Sequence, residues 1–400
     1  MSGYRELLRT PGIARIIAAQ LTARVPQGML SLSLLIHTEA TYGTYGAAGL
    51  VLGAMSVGQA VAGPLTSRWM GAWGMRRVLT LTSLVFVAAI LVDTLAPLPL
   101  WGAMTATCLA GLASPPFVSA VRTVYPKMVN ASMLTPLYSL DAALQVLLWI
   151  GGPVIATFLA TGISPQVALL VAVAFAVGGG LWFILSPELG RVKIPPARGG
   201  IGAVLKKPVV LIMTLVGFLV VGNCAAIEAG VVSIYGDTGP QAGIIIAVWS
   251  IGSLAGGLIL GSRRMTPWSL AIRVGIMTVG SALAMISLEM WWLMPALLIS
   301  GIGISPAIAF MSSSVARSVR FSETPEAYGW TGTGQLIGAA LGSAIAGFLI
   351  DGIGSIGGFI VATGLVLLAV VLSLATVRRL PDMRLGDGGP RPDTAPIRTI

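Results

Sequence analysis

Two matching stretches of sequence decide the fold: YSLDAALQVLLWIGGPVIATFLATGI at residues 138–163 and YGWTGTGQLIGAALGSAIAGFLIDGI at residues 328–353. A single offset of 190 residues aligns nine identical pairs between them. These pairs are Tyr138 with Tyr328, Gln145 with Gln335, Gly152 with Gly342, Ile155 with Ile345, Ala156 with Ala346, Phe158 with Phe348, Leu159 with Leu349, Gly162 with Gly352, and Ile163 with Ile353. Each stretch is apolar and long enough to cross a bilayer as one helix. The pair therefore indicates an internal duplication of membrane-spanning helices.

Other parts of the chain repeat at nearly the same offset. A shift of 194 residues aligns Gly49, Ser56, Gly58 and Gly63 with Gly243, Ser250, Gly252 and Gly257. A shift of 190 aligns Gly111 and Pro116 with Gly301 and Pro306. Small residues on a membrane helix let neighbouring backbones approach closely. We therefore expect the repeated positions to form the same packing seam in two halves of the protein.

The composition excludes a water-soluble protein. Of the 400 residues, 56% are hydrophobic and only 10% are charged, and the mean hydropathy is +0.91. Twelve spans of about 20 residues would use roughly 240 residues and leave short loops. Apolar runs between Pro, Gly and charged residues predict twelve spans, at 13–36, 45–66, 78–95, 99–121, 136–160, 164–186, 209–233, 240–261, 269–288, 292–316, 329–350 and 354–377.

One long polar connection divides these spans into two groups of six. The sequence predicts an all-α membrane protein of twelve transmembrane helices in two six-helix halves. The N-terminal half covers residues 1–186, a linker covers 187–208, the C-terminal half covers 209–378, and the tail 379–400 is expected to be disordered. Six spans return the chain to the same side of the membrane, so the two repeats point in the same direction.

The basic residues give the orientation. Loops on the cytoplasmic side of a membrane protein carry an excess of Lys and Arg. In this chain 23 of the 24 Lys and Arg residues lie at every second span boundary or in the termini, and the exception is Arg24. The net charge of +10 is thus a topology signal, and nucleic acid is not expected as a partner. We expect a multi-pass protein of the cell (inner) membrane with both termini in the cytoplasm.

The loop after the second span carries the family resemblance. Residues 67–77 read Ser-Arg-Trp-Met-Gly-Ala-Trp-Gly-Met-Arg-Arg. This stretch resembles the pattern G-x-x-x-D-R-x-G-x-R-R of the major facilitator superfamily, and the likeness to that family extends over about residues 10–380. Gly74, Arg76 and Arg77 match the pattern, whereas Gly71 stands in place of the family's acid. In the family that acid latches one conformation.

Three further stretches are similar to bacterial drug-efflux members of the family. They read RVPQGM at 24–29, AAIEAG at 225–230 and GSLAGG at 252–257. The Gly152-Pro153 pair in the fifth span resembles part of the motif of proton-coupled exporters, and a Gly-Pro pair bends a helix. The arginine that many exporters have in the fourth span would fall at Thr107. The resemblance implies gating roles for Arg68, Gly74, Arg76, Arg77, Gly152 and Pro153.

Three ionisable residues lie well inside spans, where a charge costs about 2.5–3.5 kcal/mol on insertion scales. Glu228, in the outer half of the seventh span, is the leading candidate for carrying a proton, against a structural carboxylic acid hydrogen-bonded between helices. Asp141 is a second candidate for proton coupling, but a structural or gating pair with Arg122 or Lys127 is favoured for it. Arg24 either binds an anionic group or pairs with a carboxylate, and the resemblance allows a pair with Glu228.

Polar and aromatic side chains within spans supply the candidate substrate-binding lining. Amides can bind polar ligand atoms or bond across helices, and an acid with aromatic rings suits a cationic amphiphile. The set expected to contact substrate is Arg24, Gln27, Asn223, Trp149 and Trp249, with Gln20 beside them. His37, at the outer end of the first span, is expected on the surface.

The motifs that the sequence lacks narrow the function. It contains no P-loop pattern for ATP, no HExxH and no cluster with metal-ligand spacing, so an enzyme, a cofactor and a metal site are not expected. The first hypothesis is a monomeric, proton-coupled exporter of small hydrophobic or amphiphilic compounds, with the proton gradient in place of a cofactor. The second is a symporter or uniporter of a polar or anionic metabolite. The third is a membrane sensor or scaffold that does not transport.

Overall fold

The computed structural model describes residues 7, 9–197, 199–235, 241–260, 265–382 and 390. Most of these residues belong to helices, which are numbered here by the span that each forms. The first half contains α1 (Ile13–Tyr42), α2 (Tyr45–Trp73), α3 (Met75–Leu95), α4 (Leu100–Leu112), α5 (Ala131–Gly162) and α6 (Pro165–Leu185). The second half contains α7 (Pro208–Tyr235), α8 (Gln241–Leu260), α9 (Ser269–Leu283), α10 (Met290–Ser318), α11 (Thr324–Ile353) and α12 (Ile356–Ala375).

Ten of the helical segments in the described residues are long and apolar enough to cross a membrane, when the fourth is taken over Leu100–Lys127. The other two are α1 and α9. The middle of α1 contains Gln20, Arg24 and Gln27, which lower its apolarity, and α9 is only 15 residues long. Both helices pack against their neighbours, and with them the described residues contain a helix at each of the twelve predicted spans.

The two halves repeat the same helix contacts. In the first half α1 packs against α5 and α6, α2 against α4, and α3 against α4 and α6. In the second half α7 packs against α11 and α12, α8 against α10, and α9 against α10 and α12. Each of these contacts of the first half therefore has a counterpart six helices later, as the sequence duplication predicts.

Glycine pairs explain why the repeated positions are small. A side chain on Gly152 of α5 would fall on the backbone of Gly28 in α1. At the equivalent place in the second half, a side chain on Gly342 of α11 would fall on the backbone of Gly222 in α7. The same relation joins α2 to α4 and α8 to α10, through Gly111 and its repeat Gly301. Backbone contact of this kind strengthens van der Waals packing where lipid gives helices no hydrophobic reason to associate.

The fourth span differs from the prediction because it is broken. The sequence predicts one helix over 99–121, but α4 ends at Leu112 and a second short helix runs from Phe117 to Val124. The break contains Pro115 and Pro116, which both lack the backbone N–H that would continue the helix. The repeat in α10 has Pro306 but carries Ser305 at the other position, and α10 is continuous over 29 residues.

The two halves meet on one side of the bundle, which is called here the linker side because it carries residues 187–208. The main contacts between halves are α2 with α11, α5 with α8, and α5 with α10. Gly63 and Gly329 touch backbone to backbone, and the Thr333 hydroxyl donates to the Ala60 carbonyl at 3.0 Å. These contacts extend from the linker side to about the middle of the bundle, so the structure is closed on that side.

Three smaller features were also predicted from the sequence: the exposure of His37, the linker and the C-terminal tail. His37 is 7% exposed and lies against α3, so the prediction of a surface residue was wrong. The linker contains a short helix, Pro187–Arg191, in which Glu188 forms an ion pair with Arg15. Most of the predicted tail, residues 383–389 and 391–400, lies outside the described residues.

The glycine contact predicts that one of two neighbouring substitutions destabilises the protein and the other does not. Gly152→Ala would push a methyl group into the α1 backbone and should lower stability by about 1–3 kcal/mol, as overpacking does. Gly151→Ala is the matched control, because a side chain there meets open space. Thermal unfolding of the purified protein in detergent measures both. Equal melting temperatures for the two variants would contradict the backbone contact.

Candidate functional site

A buried carboxylate lies at the centre of the N-terminal half. Asp141 on α5 is 0% exposed and accepts hydrogen bonds on both of its oxygens. Gln20 Nε2 and the Tyr125 hydroxyl each donate to Oδ1 at 3.1 Å. Arg122 Nε donates to Oδ2 at 3.2 Å. One carboxylate thus joins α1, the segment after α4, and α5, and its negative charge is well compensated.

Arg24 supplies a second cation to this cluster. It is 0% exposed, and its Nη1 donates to Gln20 Oε1 at 2.9 Å and lies 3.9 Å from Asp141 Oδ1. Its Nε points to Gln27 Oε1 at 3.4 Å. Residues 20, 24 and 27 share one face of α1 because they are spaced by about one and two helical turns. The Nη2 atom has no hydrogen-bond partner in the described part of the chain.

The cluster carries an excess of positive charge. Arg24 and Arg122 contribute two guanidinium groups, and Asp141 is the only acid with which either forms an ion pair among the described residues. A buried charge is costly unless it is paired. The surplus cation and the unbonded Arg24 Nη2 therefore give this site a physical reason to bind an anion.

Two tyrosines close the cluster against the other half. The Tyr138 hydroxyl donates to the Arg122 carbonyl at 3.1 Å, and the Tyr328 hydroxyl lies 2.9 Å from the Ser312 carbonyl. The two hydroxyl oxygens are 3.0 Å apart. The Arg122 guanidinium also lies over the Tyr328 ring, 6.0 Å from its centre. Tyr138 and Tyr328 are a duplicated pair, so the repeat places matching side chains in contact at the interface between the halves.

Glu228 lies apart from this cluster. It is exposed on α7, and no basic side chain of the described residues forms an ion pair with it. The Arg24–Glu228 pair that the family resemblance allowed is absent, because Arg24 turns to Asp141 within its own half. Asp141 does pair with Arg122, one of its two expected partners.

The expected substrate-binding residues are divided in the same way. Trp149 is 55% exposed, and Gln27 is partly exposed beside Arg24. Asn223 is fully buried, and its amide nitrogen donates to Ser281 Oγ and to the Ala362 carbonyl at 3.1 and 2.9 Å. Trp249 is 5% exposed. In this conformation Asn223 and Trp249 pack inside the C-terminal half, and Gln27 and Trp149 are the accessible members of the set.

Sequence reasoning missed the role of Tyr125 and understated that of Arg122. Arg122 was counted among the loop residues that set the topology, and Tyr125 gave no signal of its own. Both residues belong to the segment after the break at Pro115 and Pro116: Arg122 lies in the short helix Phe117–Val124, and Tyr125 follows it directly. The one available signal was the expectation that Asp141 needs a basic partner.

A salt bridge latches the linker side. Glu326, in the first turn of α11 and 1% exposed, accepts a hydrogen bond from Arg68 Nη1 at 2.6 Å and another from the Gly202 backbone N–H at 2.7 Å. Arg68 also donates to the carbonyls of Gly199 and Gly200. An acid near a helix N-terminus is stabilised by the helix dipole. This pair therefore ties α2, the linker and α11 together.

Gly71 explains how the chain replaces the acid of the family pattern. A side chain at Gly71 would approach the Pro195 carbonyl to 3.0 Å, so the linker occupies the space where the family's acid would extend. The acid is instead supplied from the other half by Glu326, and the base from α2 by Arg68. In the family pattern the acid follows the second span, whereas here the second span supplies the base and the eleventh span supplies the acid.

The remaining gating candidates have local roles. Gly74 joins α2 to α3 and has a φ of +91°, a backbone conformation that is strained for a residue with a side chain. Arg76 Nη2 donates to the Ser186 carbonyl at 2.9 Å and so fixes the end of α6. Arg77 is exposed. Pro153 lies inside α5 one residue after the Gly152 contact.

Removal of the latch should open the linker side. Glu326→Gln leaves Arg68 with a neutral partner, and a lost charged hydrogen bond costs about 1–3 kcal/mol. We expect the population to shift toward conformations open on the linker side, which electron–electron resonance distances between spin labels on the linker-side ends of α2 and α10 would detect. Arg77→Gln, an exposed neighbour of the latch, is the matched control. An unchanged distance distribution in Glu326→Gln would contradict the latch.

Comparison with known proteins agrees with this architecture. A curated relative, the uncharacterized MFS-type transporter y4rN of Sinorhizobium fredii, is 25% identical over 179 residues, which span 44% of each protein. A crystal structure of a bacterial homologue of the iron transporter ferroportin, in an outward-facing state, superposes with a TM-score of 0.73 at 14% identity, over 91% of this chain and 98% of that one.

A second solved structure, of the human organic anion transporter MFSD10 (TETRAN), gives a TM-score of 0.71 at 16% identity over 91% of this chain and all of that one. Likeness at this identity shows the fold alone. The sequence profile described as Major Facilitator Superfamily matches residues 16–236 and again 223–399, once for each half. The chain belongs to the major facilitator superfamily, a family of secondary transporters, and is a multi-pass membrane protein.

Proposed function

We propose that this transporter is a proton-coupled exporter of small hydrophobic or amphiphilic compounds. The observation that carries the proposal is the contrast between Glu228 and Asp141, the two carboxylates that the sequence analysis places well inside spans. Glu228 is exposed and has no basic partner among the described residues, whereas two guanidinium groups, an amide and a phenol surround Asp141. The free carboxylate is the one that can exchange a proton.

Physical cost favours proton exchange at Glu228. A charged group in an apolar span is expensive unless it is paired, and proton binding removes the charge. Water that reaches Glu228 would solvate its charged form, and exclusion of that water would favour the neutral form. The partners of Asp141 all lie in its own half and are hydrogen-bonded to it or paired with its charge. We assign Asp141 to positioning the first, fourth and fifth spans.

Alternating access follows from the contacts between halves. The Arg68–Glu326 latch, the Gly63–Gly329 contact and the Tyr138–Tyr328 contact close the linker side. We propose that the linker and both termini are cytoplasmic, because 23 of 24 basic residues lie on that side of the predicted topology. Labelling of loop cysteines with an impermeant reagent in intact cells measures this orientation. With it, the structure faces outward, and release of the latch would admit substrate from the cytoplasm.

The accessible lining suits amphiphilic cargo. Trp149 has an exposed ring and Glu228 an exposed acid, and a cavity lined by both would suit a compound with an apolar body and a cationic end. A proton and a cationic substrate would then compete for one carboxylate, and that competition couples their movements in opposite directions. We expect the transporter to act as a monomer with the proton gradient as its energy source.

Substitution of Glu228 should uncouple transport from protons. In proteoliposomes with an imposed pH gradient, Glu228→Gln should lose the pH-driven component of substrate flux, because the amide cannot exchange a proton. Glu289→Gln removes the same charge from an exposed loop residue and should retain coupled flux. Full coupled transport by Glu228→Gln would overturn the assignment of the proton site.

The surplus charge around Arg24 favours a second candidate function, symport or uniport of an anionic metabolite. The unbonded Arg24 Nη2 and the extra guanidinium of the cluster are the observations that support it. The site is sealed in this conformation, so an anion would reach it when the linker side opens and Tyr328 withdraws from Arg122. The two candidate functions use different residues and can be separated.

Substitution of Arg24 should distinguish anion transport from proton-coupled export. If the substrate is an anion, Arg24→Gln should reduce anion flux at least tenfold, while Arg24→Lys, which keeps the charge but loses the fork, should retain part of it. Flux of hydrophobic cations is the control in the same vesicles. Unchanged anion flux in Arg24→Gln removes the site of the second candidate. Absence of substrate flux across a broad panel, with the protein folded, would instead favour the sensor or scaffold.

A further inference from the structure

A cavity lies on the linker side, away from the Asp141 cluster. Its volume is about 580 Å³. Its walls come from three separate segments: the residues before α1, the connection between the fourth and fifth spans, and the linker. The charged side chains that line it are Lys127, Glu188, Arg191 and Lys193, and Pro11, Met128 and Val192 complete the wall.

The cavity is strongly positive because its one acid is already neutralised. Glu188 is 7% exposed and forms an ion pair with Arg15. Burial alone would raise the pKa of Glu188, but the hydrogen bond and charge of Arg15, with the charge of Arg191, outweigh burial and hold the pKa below its ordinary value. Arg191 and Lys193 are exposed and have no ion pair within the described residues. Three cations therefore surround one space.

One of the three cations also contacts the other half. The Lys127 ammonium lies 4.5 Å from the centre of the Phe321 ring, in the connection between α10 and α11. This contact holds Lys127 at the edge of the cavity while the linker side is closed. The positive space is thus formed by residues whose positions are fixed by the N-terminal segment, the linker and the opposite half.

A topology signal alone does not explain this arrangement. The rule for cytoplasmic basic residues requires only that they lie in the loops. Here residues from two distant loops converge on a single cavity that has apolar walls and an acid neutralised by a separate arginine. Basic pockets beside membrane helices on that side bind the phosphates of lipid headgroups, and a guanidinium fork with ammonium groups matches phosphate oxygens.

We propose that this cavity binds a phosphate-bearing anion, with Lys127, Arg191 and Lys193 as the residues that contact the phosphate. The shared chemistry is a phosphate group, carried either by an anionic lipid at the membrane surface or by a soluble phosphate. The apolar residues Pro11, Met128 and Val192 would contact whatever the phosphate is attached to. The site is independent of the substrate pathway and does not rest on the proposed direction of transport.

The test compares two double variants with equal charge loss. Arg191→Gln with Lys193→Gln removes two cavity cations, whereas Arg77→Gln with Lys206→Gln removes two exposed cations of the linker side that do not line the cavity. Native mass spectrometry counts the phosphatidylglycerol retained by each protein from mixed phosphatidylglycerol–phosphatidylcholine vesicles. We expect about fivefold weaker retention for each cavity charge removed, and little change in the control.

Inorganic phosphate separates the two sources. If a soluble phosphate is the ligand, inorganic phosphate alone should raise the melting temperature of the unaltered protein and of the control, but not that of the cavity variant. If a lipid headgroup is the ligand, inorganic phosphate should have no such effect, and phosphatidylglycerol should be enriched over phosphatidylcholine in a manner that depends on the cavity.

A charge-preserving variant keeps the test decisive if the neutral variant folds poorly. Arg191→Lys with Lys193→Arg should retain most of the binding, since the charges remain. Equal lipid retention and an equal response to phosphate in the cavity and control variants would overturn the proposal. So would loss of binding in the charge-preserving variant together with full binding in a folded neutral variant.

Discussion

Backbone contact between glycines holds each half of this protein together. In a bilayer, helices gain no hydrophobic energy by leaving lipid for one another, so association depends on how closely their surfaces fit. Gly28 meets Gly152 in the first half, and Gly222 meets Gly342 in the second. These contacts bring α1 close to α5 and α7 close to α11. The other helices pack around the two crossings, and the interface between halves uses the faces that remain.

The duplicated packing carries a charge distribution that is not duplicated. Asp141 and Arg122 of the first half correspond to Thr331 and Ser312 of the second, and Arg24 corresponds to Phe218. The Tyr138–Tyr328 contact marks the place where the symmetric framework meets this asymmetric cluster. The second half instead carries Glu228, which has no counterpart acid in the first. The two halves thus share one packing pattern, while the charged residues inside them differ.

The Arg68–Glu326 pair shows how the linker side can be tied together although the family signature is changed. Gly71 removes the acid expected after the second span, and the linker packs into the space that this leaves. Glu326 restores a carboxylate from the opposite half and binds both Arg68 and the linker backbone. A reader of the loop sequence alone would conclude that the latch was lost. The linker, in contrast, becomes part of the closed conformation, which is why its own contacts matter for gating.

The sequence by itself determined the number of spans, the division into halves and the repeated seam. Apolar length, the alternation of basic residues and glycine spacing are local properties of the chain, and the bilayer constrains the first two directly. It also identified Arg24, Asp141 and Glu228 as the charges that need an explanation. Only the tertiary structure decided their partners: Arg24 joins Asp141 and not Glu228, Tyr125 enters the cluster after the break at Pro115 and Pro116, and Glu326 replaces a missing acid from more than 250 residues away. Such partners depend on which helix faces meet, and spacing along one chain does not specify the contact between two distant helices.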